Sequence, residues 1–185
     1  MAETATMTRE LGWQATDFDL EGTDGKRHRL ADIRGPKGTL VMFICNHCPY
    51  VKAVIADVVK EAALLQADGV KSVAIMSNDT TSYPDDSFDN MKKFAAQHGF
   101  GFPYVIDTTQ DVARAYAAVC TPDFFGFDKD LKLRYRGRIY EMAAGLKTKP
   151  GARHELLEGM RQVAKTGQAP AEQTPSIGCS IKWRA

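Results

Sequence analysis

The sequence predicts an α/β fold, a central mixed β-sheet flanked by helices, and three observations carry the prediction. Continuous apolar runs alternate with segments of helical period, Leu131 to Arg136 alternates strictly, and an amphipathic helix follows before the tail. Uninterrupted apolar strands belong to sheets covered on both faces, whereas strict alternation marks an antiparallel strand with one face buried. The 185 residues are 44 % hydrophobic, which suits one domain with a sizeable core over residues 1–185.

Residues 1–15 lack periodicity and read as a mobile N-terminal arm, with Trp13 placed to anchor its end. Phe18 to Leu20 and Lys26 to Leu30 flank Gly22-Thr23-Asp24-Gly25, whose central Asp-Gly supplies positive φ for a tight turn, so an N-terminal β-hairpin is expected. Arg34 to Gly38 is a loop, and Thr39 to Ile44 is a buried strand. After Pro49, the residues Val51, Val54, Ile55, Val58, Val59, Ala62 and Leu65 form one helical face that ends near Asp68-Gly69.

Val70 to Met76 is the next strand, and the segment from Ser82 to Ser87 is a loop. Asp86 or Ser87 caps a helix that Gly99 stops. Pro103 to Ile106 is a short strand, and Thr108 with Asp111 reads as a capping-box variant opening a helix through Tyr116. Phe124 to Phe127 and Leu131 to Arg136 make a hairpin around Asp128 to Asp130, and the basic run Arg134 to Arg138 is expected on its solvated face. A last helix from about Arg153 to Lys165 precedes a C-terminal tail over 168–185 without period.

The 24 basic and 23 acidic residues nearly cancel, which gives no electrostatic case for nucleic acid or an anionic membrane as partner. No apolar run is long enough to span a bilayer, and the polar start lacks the apolar core of a secretory signal, so a cytoplasmic location is expected. Four cysteines are too few for a disulfide scaffold, and in a reducing compartment a CxxC is more often catalytic or metal-binding.

Cys45-Asn46-His47-Cys48-Pro49 joins a strand to a helix, which sets both sulfurs at a helix N-terminus, where unpaired amides and the macrodipole favour thiolate. Pro49 suits the first helical position and biases Cys48 away from helical geometry, which makes Cys48 itself the N-cap. A structural zinc site usually needs four ligands, and a second CxxC or close Cys/His pair is missing; Cys120, Cys179, His28, His98 and His154 are scattered. A c-type haem would need histidine where Pro49 stands. Neither a metal nor another cofactor is therefore expected, and a non-enzymatic thiol or metal-binding module stands as an alternative.

The Cys-Asn-His-Cys-Pro-Tyr-Val block, Ser77-Asn78-Asp79 and Cys120-Thr121-Pro122 together resemble a known group. From roughly Phe18 to the last helix, the chain looks like a thioredoxin-fold protein of the peroxiredoxin-like branch, related to the alkyl hydroperoxide reductase and thiol-specific antioxidant group, that keeps a thioredoxin CxxC. The resemblance implies a thiol-disulfide oxidoreductase with an antioxidant role, served by a disulfide substrate and a thiol reductant system. It also implies a cis Pro122 beside the CxxC, with Thr121 and Asn46 contacting substrate. His47 stands where protein disulfide isomerase has histidine, and stabilising the reduced form makes such a pair more oxidising.

The resemblance leaves the nucleophile open. Thioredoxin analogy makes Cys45 the exposed attacking sulfur and Cys48 its resolving partner. Peroxiredoxin alignment puts Cys48 in the peroxidatic position, but the accompanying proline and threonine are replaced by Val41 and Cys45; a thiol peroxidase acting on hydroperoxides is the second reading. The apolar Ile181 and Trp183 should dock the tail, which could bring Cys179 to the CxxC as a further resolving cysteine or leave it a packed thiol. Cys120 reads as a small buried residue.

Overall fold

The computed structural model describes Glu3–Ala5, as backbone, and residues 10–185. In chain order the elements are β1 (Glu3–Ala5), β2 (Asp19–Gly22), β3 (Arg27–Arg29), α1 (Leu30–Ile33), β4 (Gly38–Phe43), α2 (Pro49–Ala67), β5 (Val70–Met76), a 3-10 turn (Pro84–Asp86), α3 (Phe88–His98), β6 (Tyr104–Ile106) and α4 (Asp111–Tyr116). There follow β7 (Cys120–Thr121), β8 (Asp123–Phe127), β9 (Leu133–Gly137), β10 (Met142–Ala143), β11 (Lys147–Thr148), α5 (Glu155–Thr166) and β12 (Ile177–Ser180).

Seven strands form a mixed sheet in the order β3-β2-β6-β5-β4-β8-β9. The pairs β4–β5 and β5–β6 are parallel, while β8 runs antiparallel to β4 and to β9. Both faces are covered, and β4 is buried along its whole length. Leu40, Met42 and Ile44 meet Val51, Ile55 and Met160 from α2 and α5 on one side. Val41 and Phe43 meet Tyr116 and Phe125 beside α1 and α4 on the other. Each such side chain, fully removed from water, contributes about 1.5–3 kcal/mol.

The expected N-terminal hairpin forms the sheet edge, β2 pairing with β3. Only Gly25 of its turn takes positive φ, closing on the Gly22 carbonyl. Lys26 to Leu30 is not strand throughout, since Leu30 opens the short α1.

Four further expectations about the fold need correction. Glu3–Ala5 of the N-terminal arm is strand, paired with β12, although residues 1, 2 and 6–9 lie outside the described residues. The start of α4 is not a Thr108 capping box: the Asp107 carboxylate accepts from the Val112 and Ala113 amides. Part of the 82–87 loop is helical, the 3-10 turn, and Ser87 caps α3 by accepting from the Asn90 amide.

The basic run is the fourth. Arg136 is buried at 3 % exposure and pairs with Asp123 at 2.8 Å, with its guanidinium over the Phe125 ring. Leu133 and Tyr135 are both buried, but in different layers, Leu133 with Phe127 and Tyr135 with Met160, across a register shift between β8 and β9. The Arg136 side chain is enclosed by Phe125, Asp123 and the Ala117 carbonyl, and Gln173 of the tail bonds the backbone of Arg134 and Arg136.

Candidate active site

β4 ends at Phe43, and the chain runs through Ile44 to Cys48 before α2 begins at Pro49, so the cysteine pair sits beyond the carboxyl end of a parallel strand and at the amino end of a 19-residue helix. Cys48 is the N-cap residue, with extended φ and ψ, as its following proline requires. The Thr121-Pro122 peptide lies against the pair and is cis, as the resemblance implied. Cys45 Sγ is 3.5 Å from Thr121 Oγ1, and Cys48 Sγ is 3.3 Å from the Thr121 carbonyl oxygen.

Neither sulfur is open to solvent. Cys45 is 1 % exposed and Cys48 is 0 %, so the picture of an exposed Cys45 is corrected. All four cysteines are free thiols. The two sulfurs of the pair differ sharply in acidity. A hydrogen bond shared with Cys48, burial and the nearby Asp86 charge hold the Cys45 thiol well above its ordinary value. The Cys48 thiol is brought down to about 5 against the cost of burial, because Cys45, the Cys179 thiol and the amides of Val51 and Cys179 all donate to it. One carbonyl, that of Thr121, faces those donors, and the balance of contacts favours the charged form more at Cys48 than at Cys45.

The tail supplies two of those donors. β12 pairs antiparallel with β7, setting Cys179 opposite Thr121, and burial together with the Cys48 hydrogen bond pushes the Cys179 thiol up to about 12. Gly178 lies so close to Thr121 that a Cβ there would collide with the Thr121 carbonyl oxygen. Thr121 is 3 % exposed and already paired, so it is not the open strand edge expected to receive an extended substrate. Ile181 is buried whereas Trp183 is 40 % exposed beneath Arg114, so Ile181 and the strand pairing hold the tail more than Trp183 does. Cys120 is buried, its thiol raised by desolvation, and donates to the Pro122 carbonyl.

His47 and Asn46 face a residue that sequence reasoning treated only as a helix cap. Asp86 is fully buried; one carboxylate oxygen accepts from the Asn46 amide at 2.8 Å and the other from Asn78 Nδ2 at 2.9 Å. His47 Nδ1 lies 2.6 Å from that second oxygen, close enough for an ion pair but without hydrogen-bond alignment. The imidazole stacks on Tyr83 and approaches Cys45, the sulfur, ring nitrogen and carboxylate all lying within 4.8 Å of one another. The Asn46 side chain is committed to the Tyr104 hydroxyl and the Asp85 carbonyl rather than free for substrate. Nothing in Pro84-Asp85-Asp86-Ser87 distinguishes Asp86 from a surface turn; only Asn78, in the Ser-Asn-Asp block, pointed toward it.

Beside the pair, a cavity of about 390 Å³ is bounded by Tyr50, Pro122, Phe124, Ile139, Met142 and Ile177 among others. Among the described residues, no arginine is recorded as a hydrogen-bond partner of either CxxC sulfur.

A CxxC at a helix start, facing a cis-proline across a mixed sheet, defines the class of thiol-disulfide oxidoreductases with a thioredoxin fold. The AhpC/TSA family model matches residues 11–136, and the chain belongs to that family. It is similar to the thiol-disulfide oxidoreductase ResA of Geobacillus thermodenitrificans, 29 % identical over 146 residues, 79 % of this chain and 76 % of that one. A crystal structure of an uncharacterized conserved protein from Geobacillus kaustophilus is 44 % identical, with a TM-score of 0.93 over 100 % of this chain and 97 % of that one. The fold is shared with the thioredoxin domain of a thiol-disulfide oxidoreductase from Bacteroides vulgatus, at 18 % identity and a TM-score of 0.59 over 70 % of this chain and 89 % of that one.

Proposed function

We propose that this protein exchanges disulfides with Cys48 as the attacking thiolate and Cys45 as the resolving thiol. The observation that carries this reading is the set of donors converging on Cys48, set against the Cys45 thiol held protonated. Cys48 S⁻ attacks a substrate disulfide, one substrate sulfur leaves as thiolate, and a mixed disulfide forms. Cys45 then gives its proton to the adjacent His47–Asp86 pair and attacks the Cys48 sulfur. The Cys45–Cys48 disulfide forms, the second substrate thiolate leaves, and two electrons have passed to the substrate. A thiol reductant system restores the dithiol.

Substrate reaches the buried pair from the cavity beside Pro122 and Tyr50, whose apolar lining suits a hydrophobic side chain next to the reacting disulfide. Cys179 is a second resolving group, a role supported by its hydrogen bond to Cys48. Its attack on the mixed disulfide would leave a Cys48–Cys179 bond instead.

Incubation of single-cysteine variants with oxidised glutathione tests the assignment. Cys45→Ser should accumulate the glutathione adduct on Cys48, and Cys48→Ser should form none. Accumulation in Cys48→Ser alone would return the attacking role to Cys45. Peptide mapping of the oxidised wild type decides the place of Cys179: recovery of Cys45–Cys48 linkage only, with Cys179 alkylated throughout, removes it from the cycle.

A further inference from the structure

We infer that Cys45, His47 and Asp86 form a zinc-binding site that exists only while the cysteine pair is reduced. Their ligand atoms, a sulfur, an imidazole nitrogen and a carboxylate oxygen, already lie within 4.8 Å of one another. Zinc bonds of about 2.3 Å to sulfur and about 2.0–2.2 Å to nitrogen and oxygen set such atoms roughly 3.3–3.9 Å apart, so the His47 nitrogen and the Asp86 oxygen, 2.6 Å apart, would have to part slightly to admit the ion. His47 Nδ1 is buried and lacks a hydrogen-bond partner, although it sits 2.6 Å from Asp86. That nitrogen meets the carboxylate at ion-pair distance but without hydrogen-bond alignment, and a cation held between the two would engage both.

The surroundings are those of a supported ligand set. The Asn46 amide and Asn78 Nδ2 both donate to Asp86, which fixes the carboxylate without neutralising it, as outer-shell donors do around metal-bound carboxylates. Tyr83 stacked on His47 holds the imidazole plane. One sulfur, one nitrogen and one oxygen suit zinc, which accepts all three, and disfavour calcium and magnesium, which take oxygen ligands. Three protein ligands leave a fourth position for water.

Binding displaces the proton of the Cys45 thiol and moves no electrons. Oxidation to Cys45–Cys48 removes the thiolate ligand, so the site opens and closes with the redox state of the pair. The ion also withdraws Cys45 from resolving a mixed disulfide; that consequence, unlike the binding itself, rests on the role proposed for Cys45. A search of the sequence for a second cysteine or histidine pair misses this set because its third member is a carboxylate from the turn before α3.

The full chain, reduced and then oxidised, would be titrated with zinc against a chromophoric chelator, and with cobalt to read the thiolate-to-metal charge-transfer band. Expected are one ion per reduced chain, no stoichiometric binding after oxidation, and affinity at least about tenfold weaker in His47→Ala and Asp86→Asn. The cobalt band should vanish in Cys45→Ser and persist in Cys48→Ser. Loss of binding in Cys48→Ser with none in His47→Ala would reduce the site to a simple dithiol chelate and overturn the inference, as would equal binding by the oxidised chain. Should Asp86→Asn fail to fold, the His47 and cysteine variants decide the matter alone.

Discussion

Cys179 stands directly opposite Thr121 in the antiparallel pairing of β12 with β7, and from there both its thiol and its amide reach the Cys48 sulfur. The last strand of the chain is therefore part of the electrostatics of the CxxC, a hundred residues and more away in sequence.

Replacing Cys179 by alanine should weaken the Cys48 thiolate. One hydrogen bond to a charged group contributes about 1.5–3 kcal/mol, or roughly one to two pKa units. The midpoint of Cys48 alkylation with pH should rise by about one unit, and the redox potential of the pair should fall because the reduced form has lost a stabilising donor. An unchanged alkylation profile would show that the thiol does not act as a donor.

The stability of the reduced protein should depend on pH through Cys48. Its folded pKa, about 5, lies below the unfolded thiol value of about 8.5, so the stabilisation is fully present above the higher value and is lost as pH falls through the lower one. Urea midpoints of the reduced protein should rise between about pH 5 and 8.5 relative to Cys48→Ala. Parallel midpoints across that window would remove the depressed pKa.

Gly178→Ala should release the tail. The added Cβ would meet backbone, the Thr121 carbonyl, which cannot move aside as a flexible side chain could. A loss of about 2–3 kcal/mol is expected, read by thermal unfolding, together with faster alkylation of Cys179. Wild-type protection of Cys179 in the variant would mean that β12 tolerates the side chain.

Asp123→Ala should be among the most damaging single changes outside the CxxC. It strands the Arg136 guanidinium, 3 % exposed, with its charge unpaired, for which a loss of about 3–5 kcal/mol is expected. The double change Asp123→Ala with Arg136→Met should recover part of that loss, because an apolar pair leaves no buried charge behind. Denaturant midpoints of the single and double variants give the comparison.

The sheet, its two covering layers and the CxxC at the start of α2 were legible because each rests on a local pattern: the apolar run Leu40 to Ile44, the three-to-four spacing along α2, the proline after Cys48. Pairing across the chain was less visible. The strict alternation ending at Arg136 correctly announced a strand, but it put one face in water, whereas Arg136 is buried against Asp123, Phe125 and the Ala117 carbonyl, partners that no pattern within 131–136 reveals. Asp86 was hidden for a related reason, since a carboxylate in a polar turn looks solvated until Asn46 and Asn78 are seen to converge on it. The expectation that Thr121 would await a substrate failed because the chain supplies its own strand there.

Gln173 carries a consequence for how copies of this protein meet. β9 ends the seven-stranded sheet, and an exposed end of that kind is a template for strand addition by another chain. The Gln173 side chain accepts from the Arg136 amide at 2.8 Å and donates to the Arg134 carbonyl at 2.9 Å, using one amide group to imitate a single rung of a neighbouring strand. On either side of it the chain pairs with itself, Leu133 exchanging backbone hydrogen bonds with Gly12 and Trp13 and the Arg138 amide donating to the Thr174 carbonyl. A foreign β-strand would first have to evict these segments together with the glutamine, so the border is guarded against fibril-like stacking by the chain itself.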